Sequence, residues 1–157
     1  MFQERLKEIV RETVEALGFA VVETVWISGK QRATLRIVIH RKGGDISTED
    51  CAKVSEVLSA RLDVEDIVAV AYNLVVESPG VERKIASPEE YDIFSDREFR
   101  LVLREPAAFG LKDSVLVGKV TARTDEGITL AAQAGEFTIP YSAIAKAQLY
   151  FDLKRYL

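Results

Sequence analysis

Cysteine and histidine are nearly missing from this chain: Cys51 and His40 stand alone among 157 residues. One thiol cannot close an internal disulfide, and one thiol with one imidazole cannot build a four-ligand structural zinc site. Long apolar runs are also missing. No stretch reaches the roughly 18 residues needed to span a bilayer. Glu4, Arg5, Lys7, Glu8, Arg11 and Glu12 interrupt any N-terminal signal segment, so the expected setting is the cytoplasm, with no membrane partner. The imidazole of His40 has no nucleophile motif near it, and carboxylate pairs such as Asp125 and Glu126 fall in turns. Without a nucleophile, a base and an orienting group in a recognisable pattern, the expectation is a protein that is not an enzyme, with no cofactor, metal or small-molecule substrate. Internal repeats and low-complexity segments are absent too.

Acidic residues are missing from one interval. Between Glu23 and Asp45 there is none, while Lys30, Arg32, Arg36, Arg41 and Lys42 all fall there. The net charge is −4, so the whole-molecule field does not draw the chain onto polyphosphate, and any nucleic-acid contact must be local. These five cations have two readings. They can meet several phosphates from one hairpin, or they can be a solvated face that keeps an exposed strand from pairing with another chain.

What is present is 48% hydrophobic and 29% charged, a globular composition. Phe2, Leu6, Ile9, Val10, Val14 and Leu17 recur at helical spacing, and Gly18 ends the pattern. Phe19 to Ile27 and Ala33 to His40 read as a hairpin turned at Ser28-Gly29-Lys30, with Leu35, Ile37 and Ile39 facing a core and Arg36, Val38 and His40 facing away. Ser47 with Asp50 three residues on predicts a capped second helix, and Val54, Leu58 and Leu62 extend a buried stripe from Cys51. Ile67 to Val70 and Tyr72 to Val76 return as strand. A helix between the hairpin and that strand requires parallel or mixed pairing.

Ser78-Pro79-Gly80 then reads as a turn, proline fixing φ and glycine free to take positive φ. An ordinary Pro-Gly turn explains it, and so does a rigid strand end that aims Glu82, Arg83 and Lys84 at a partner. Ser87-Pro88-Glu89-Glu90 opens a helix of one or two turns. Beyond it lie short strands only: 99 to 103, 115 to 122, 128 to 132, 136 to 139 and 144 to 151, with a 3₁₀ turn at Pro140-Tyr141-Ser142. Five short strands favour a small barrel, because closure removes exposed edges. The expected fold is therefore α+β: an α/β domain over residues 1–86 (helix, hairpin, helix, strand) and a β-barrel over 87–157, with 87–95 as linker.

The stretch from Tyr72 to Arg83, YNLVVESPGVER, resembles the signature of the bacterial ribosome maturation factor RimP family. The likeness covers nearly the whole chain and includes the first helix, the hairpin, Ser-Pro-Glu-Glu-Tyr at 87–91, Ile139-Pro140-Tyr141 and Ile144 to Leu149. Two positions depart from the family pattern: Lys84 replaces a common proline and Asp96 a common glycine. The resemblance implies an SH3-like or Sm-like C-terminal barrel and a cytoplasmic, non-enzymatic role in maturing the 30S small ribosomal subunit. It implies partners in 16S rRNA and in ribosomal protein twelve of the small subunit, the latter bound largely through the barrel. The chain is expected to act as a monomer, and the alternative is a stand-alone Sm-like RNA-binding module. The binding residues expected from these readings are Pro79, Gly80, Glu82, Arg83 and Lys84, with Lys30, Arg32, Arg36, Arg41 and Lys42 on the hairpin.

Overall fold

The computed structural model describes residues 1–151, and 152–157, the end of the expected second domain, lie outside the described residues. The chain divides into two compact units, Met1–Pro79 and Gly80–Leu157.

The first unit contains α1 (Phe2–Ala16), β1 (Ala20–Ile27), β2 (Ala33–His40), α2 (Thr48–Glu65) and β3 (Tyr72–Glu77). The sheet order is β1-β2-β3. β1 and β2 form the expected antiparallel hairpin, with a register shift between Val21 and Glu23. β2 and β3 run parallel, Leu35 beside Leu74 and Ile37 beside Val76. α2 supplies the long crossover that parallel pairing requires. Its start follows from Ser47 and Asp50: the Asp50 amide donates to Ser47 Oγ (3.0 Å) and the Ser47 amide to Asp50 Oδ2 (2.9 Å), a reciprocal capping box. Leu6, Ile9, Val10 and Val14 from α1 and Val54, Leu58 and Leu62 from α2 close over Leu35, Ile37 and Ile39, giving two layers around one core.

Three expectations change here. Ile67 to Val70 is not strand: α2 runs to Glu65, Asp66 ends it in the left-handed region (φ 51°), and β3 begins only at Tyr72. The outward face of β2 is not uniformly solvated, since Val38 and His40 are as buried as the core positions while Thr34 and Arg36 are half-exposed. The turn after β3 falls later than Ser78-Pro79-Gly80. The Arg83 amide donates to the Gly80 carbonyl (3.1 Å), and Gly80 itself does not take positive φ.

The second unit contains α3 (Glu90–Ile93), β4 (Glu98–Leu103), a 3₁₀ turn (Pro106–Phe109), β5 (Val115–Arg123), β6 (Gly127–Ala132), β7 (Gly135–Pro140), a second 3₁₀ turn (Tyr141–Ala143) and β8 (Ile144–Leu149). The strands form one antiparallel sheet in the order β7-β6-β5-β4-β8. Alternation explains its core: Phe99, Leu101 and Leu103 of β4, Leu116 and Val120 of β5, Ile128 and Leu130 of β6, Ile139 and Leu149 are buried. Gly118 is required where β5 crosses β6, because a Cβ there would lie 2.3 Å from the Ala131 carbonyl oxygen.

The barrel expected from edge avoidance is not closed. β7 and β8 end the strand order, and the free side of β8 is covered locally instead. The Ile85 amide donates to the Ala147 carbonyl (2.9 Å), the Leu149 amide to the Arg83 carbonyl (2.8 Å), and Lys84 bridges to Gln148. Residues 83–85 thus form a strap along an edge that would otherwise be open. The segment 87–95 is packed within this unit as well: Glu90, Tyr91 and Phe94 are buried.

Candidate interaction surfaces

On the hairpin, each arginine of the basic interval is held by a neighbour. Arg32 reaches the start of β3, where Nη2 donates to the Tyr72 carbonyl (2.9 Å) and Nε to Asn73 Oδ1 (3.1 Å). Arg36 pairs with Glu77 near the end of the same strand. Arg41 lies over the Phe19 ring, 4.9 Å from its centre, and its Nη2 meets Asp50 Oδ1 at 3.1 Å. The Asp50 carboxyl is held below the usual carboxylate range, first by the Ser47 amide and then by the Ser47 hydroxyl and the Arg41 charge. Arg41 therefore ties the loop after β2 to the cap of α2.

Lys30 and Lys42 are exposed and form no ion pair among the described residues. They stand at opposite ends of an eight-residue strand, roughly 25 Å apart at the rise of an extended chain. The topology brings Arg32, Arg36 and Arg41 into internal contacts and leaves the two lysines too far apart to grip one short segment.

The residues after β3 divide in a similar way. Pro79 closes the first unit, while Gly80 and Glu82 lie exposed in and beside the turn. The Arg83 side chain is only 10% exposed, and its Nε donates to Glu90 Oε1 at 2.8 Å. Glu90, 1% exposed, also accepts from the Ala86 and Ser87 amides through Oε2 (3.0 and 3.1 Å). A buried carboxylate is sustained only when its lone pairs are met in this way. Arg83 thus fastens the strap to the start of α3, and of the two cations in this stretch only Lys84 is exposed.

The structure adds a feature that sequence reasoning missed. A groove of about 400 Å³ in the second unit is lined by Lys84, Ile85, Tyr91, Tyr141, Ile144 and Lys146 among others. Tyr141 stacks on Tyr91 with ring centres 6.2 Å apart and planes 18° apart, and its hydroxyl donates to the Thr124 carbonyl (2.8 Å). Burial pushes the Tyr91 phenol up to about 12. The lining residues come from the strap, α3 and the turn into β8, three places more than 50 positions apart at the extremes, so no local pattern could have revealed them. Cys51, half-buried in the first turn of α2, has its thiol pushed up by burial, which suits a core side chain and not a nucleophile. None of the described helices is long and apolar enough to cross a membrane.

Residues 9–82 match the family model described as the RimP N-terminal domain. The match takes in most of α1, the hairpin, α2, β3 and the Ser-Pro-Gly segment.

Proposed function

Because the chain carries a RimP N-terminal domain and so belongs to the RimP family, we propose that it is a maturation factor of the small ribosomal subunit. It associates with the immature 30S particle in the cytoplasm through 16S rRNA and ribosomal protein twelve, acts by binding without covalent chemistry, and works as a monomer. The observation that carries this reading is the match over residues 9–82.

The second unit supports an SH3-like assignment at the level of topology. Four consecutive strands form a meander, a 3₁₀ turn follows, and the fifth strand returns beside the first of the four. The acidic charge of the whole chain suits a basic ribosomal protein as partner, since complementary fields favour encounter.

Sedimentation tests the reading. Tagged protein in cell extract is expected to co-migrate with free small subunits and to be absent from whole ribosomes and polysomes. Equal affinity for immature and finished small subunits would sink it, and tight binding to isolated RNA with no particle preference would replace it with the stand-alone RNA-binding module.

A further inference from the structure

The second unit carries a cationic face assembled from strands far apart in the chain. On β4 the buried positions are Phe99, Leu101 and Leu103, so Arg100 and Val102 point outward, and Arg104 follows in the same alternation. Directly opposed residues in an antiparallel ladder share a face. Arg100 opposes Gln148 and Val102 opposes Lys146 on β8, while Lys84 of the strap bridges to Gln148. Lys84, Lys146 and Arg100 therefore sit on three adjacent extended segments, roughly 5 Å from one to the next.

None of these three forms an ion pair among the described residues, and Arg104 gives its Nε to the Ser142 carbonyl (3.1 Å). The same face meets its first acidic residue on these strands at Glu98, which stands opposite Lys119 of β5. In a chain with 25 acidic residues, cross-strand neutralisation was within easy reach, and the hairpin has it. Lys84 and Lys146 also flank the groove, whose wall includes Ile85, Ile144 and the ring of Tyr141. Cations beside a groove walled by aliphatic side chains and a tyrosine ring match a polyanion that carries bases. An acidic peptide offers the charge without the base.

We infer that this face binds single-stranded RNA, with Lys84, Arg100 and Lys146 on the phosphates and the groove receiving a base against Tyr141. The inference deepens the ribosome-maturation reading by naming the element of the second unit that touches RNA, and it rests on that reading only for the source of the RNA.

The test is fluorescence anisotropy of the full chain with a labelled oligouridylate of about 16 nucleotides over a range of salt. The triple variant Lys84→Gln, Arg100→Gln, Lys146→Gln is expected to bind about tenfold more weakly and to reduce the salt slope by about 2, with an unchanged thermal transition. The hairpin pair Lys30→Gln, Lys42→Gln is expected to change both far less. An unchanged affinity and slope in the triple variant would overturn the assignment. So would stronger binding of a duplex of equal length, or displacement of the RNA by polyglutamate at equal charge concentration. Because naked RNA is the probe, these failures leave the sedimentation result untouched.

Discussion

The arginines of the β1–β2 hairpin and the cations on the outward face of β4, β8 and the strap are disposed of in opposite ways. On the hairpin, β3 lies alongside with Asn73 and Glu77, and α2 begins nearby with Asp50, so Arg32, Arg36 and Arg41 are each engaged within the first unit. On β4 and β8 the cross-strand neighbours of Arg100 and Lys146 are Gln148 and Val102, which carry no charge. A cluster of like charges along the sequence is therefore no measure of free positive charge in the fold. The deciding quantity is what the adjacent strand places opposite each cation. Lys84 belongs to the second group although Arg83, one residue away, belongs to the first.

That last contrast gives the largest expected effect. Arg83→Ala leaves the Glu90 carboxylate buried without its cation, still accepting from the Ala86 and Ser87 amides and, at 3.5 Å, from the Ser87 hydroxyl. Removing one partner of a buried ion pair costs about 3–5 kcal/mol. The unfolding free energy extrapolated to water should fall by an amount of that order, seen as a lower urea midpoint with an unchanged slope, while Lys84→Ala should leave the midpoint in place. If Arg83→Ala instead keeps the midpoint and weakens binding to small subunits, the arginine is a docking group and the division drawn here fails.

Much of the fold was legible because each element obeys a local period. Leu6, Ile9, Val10 and Val14 mark α1 at helical spacing, Ser47 and Asp50 mark the start of α2, and Phe99, Leu101 and Leu103 mark β4 by alternation. Chain connectivity gave the expectation of a parallel or mixed pairing, which the structure makes specific as β2 beside β3 in parallel. What the period does not contain is the partner. The run from Ile67 to Val70 is β-branched and apolar, yet no strand accepts it, because β3 enters the sheet at Tyr72 beside Ala33. Closure of the barrel was argued from the cost of open edges, and the strap met part of that cost differently. The candidate site suffered most. Arg83 reads as a presented charge until Glu90, seven residues on, is seen folded beneath it, and Arg100 and Lys146 gain meaning only when β8 is known to return beside β4.

A middle-sized effect sharpens the hairpin side of the comparison. The Arg36 and Glu77 side chains are 38% and 40% exposed, so solvent screens their attraction. Exposed pairs contribute about 0.2–1 kcal/mol. A double-mutant cycle with Arg36→Ala and Glu77→Ala should return a coupling below about 1 kcal/mol that shrinks as salt is added. A coupling several times larger would mean that the pair pins β3 in register, and the hairpin arginines would then be as structural as Arg83.

The smallest effect lies at the other end of the hairpin and depends on pH. The Asp50 carboxyl titrates below its unfolded value, chiefly because the Ser47 amide donates to its charged form and secondarily through the Ser47 hydroxyl and Arg41. A group depressed in the folded state stabilises that state fully above its unfolded pKa, about 3.9 for aspartate, and ceases to do so as the pH falls through the folded value. Wild-type protein should therefore melt above Asp50→Asn at pH 6, and the two melting temperatures should converge as the pH drops below about 4. Arg41→Gln should keep most of that pH-dependent difference, since the amide is the larger cause and stays in place. If Arg41→Gln removes it as completely as Asp50→Asn, the guanidinium and not the helix cap holds the carboxylate. Arg41 would then be the strongest internal tie on the hairpin, and the contrast with the open cations of β4 and β8 would be wider than the distances alone imply.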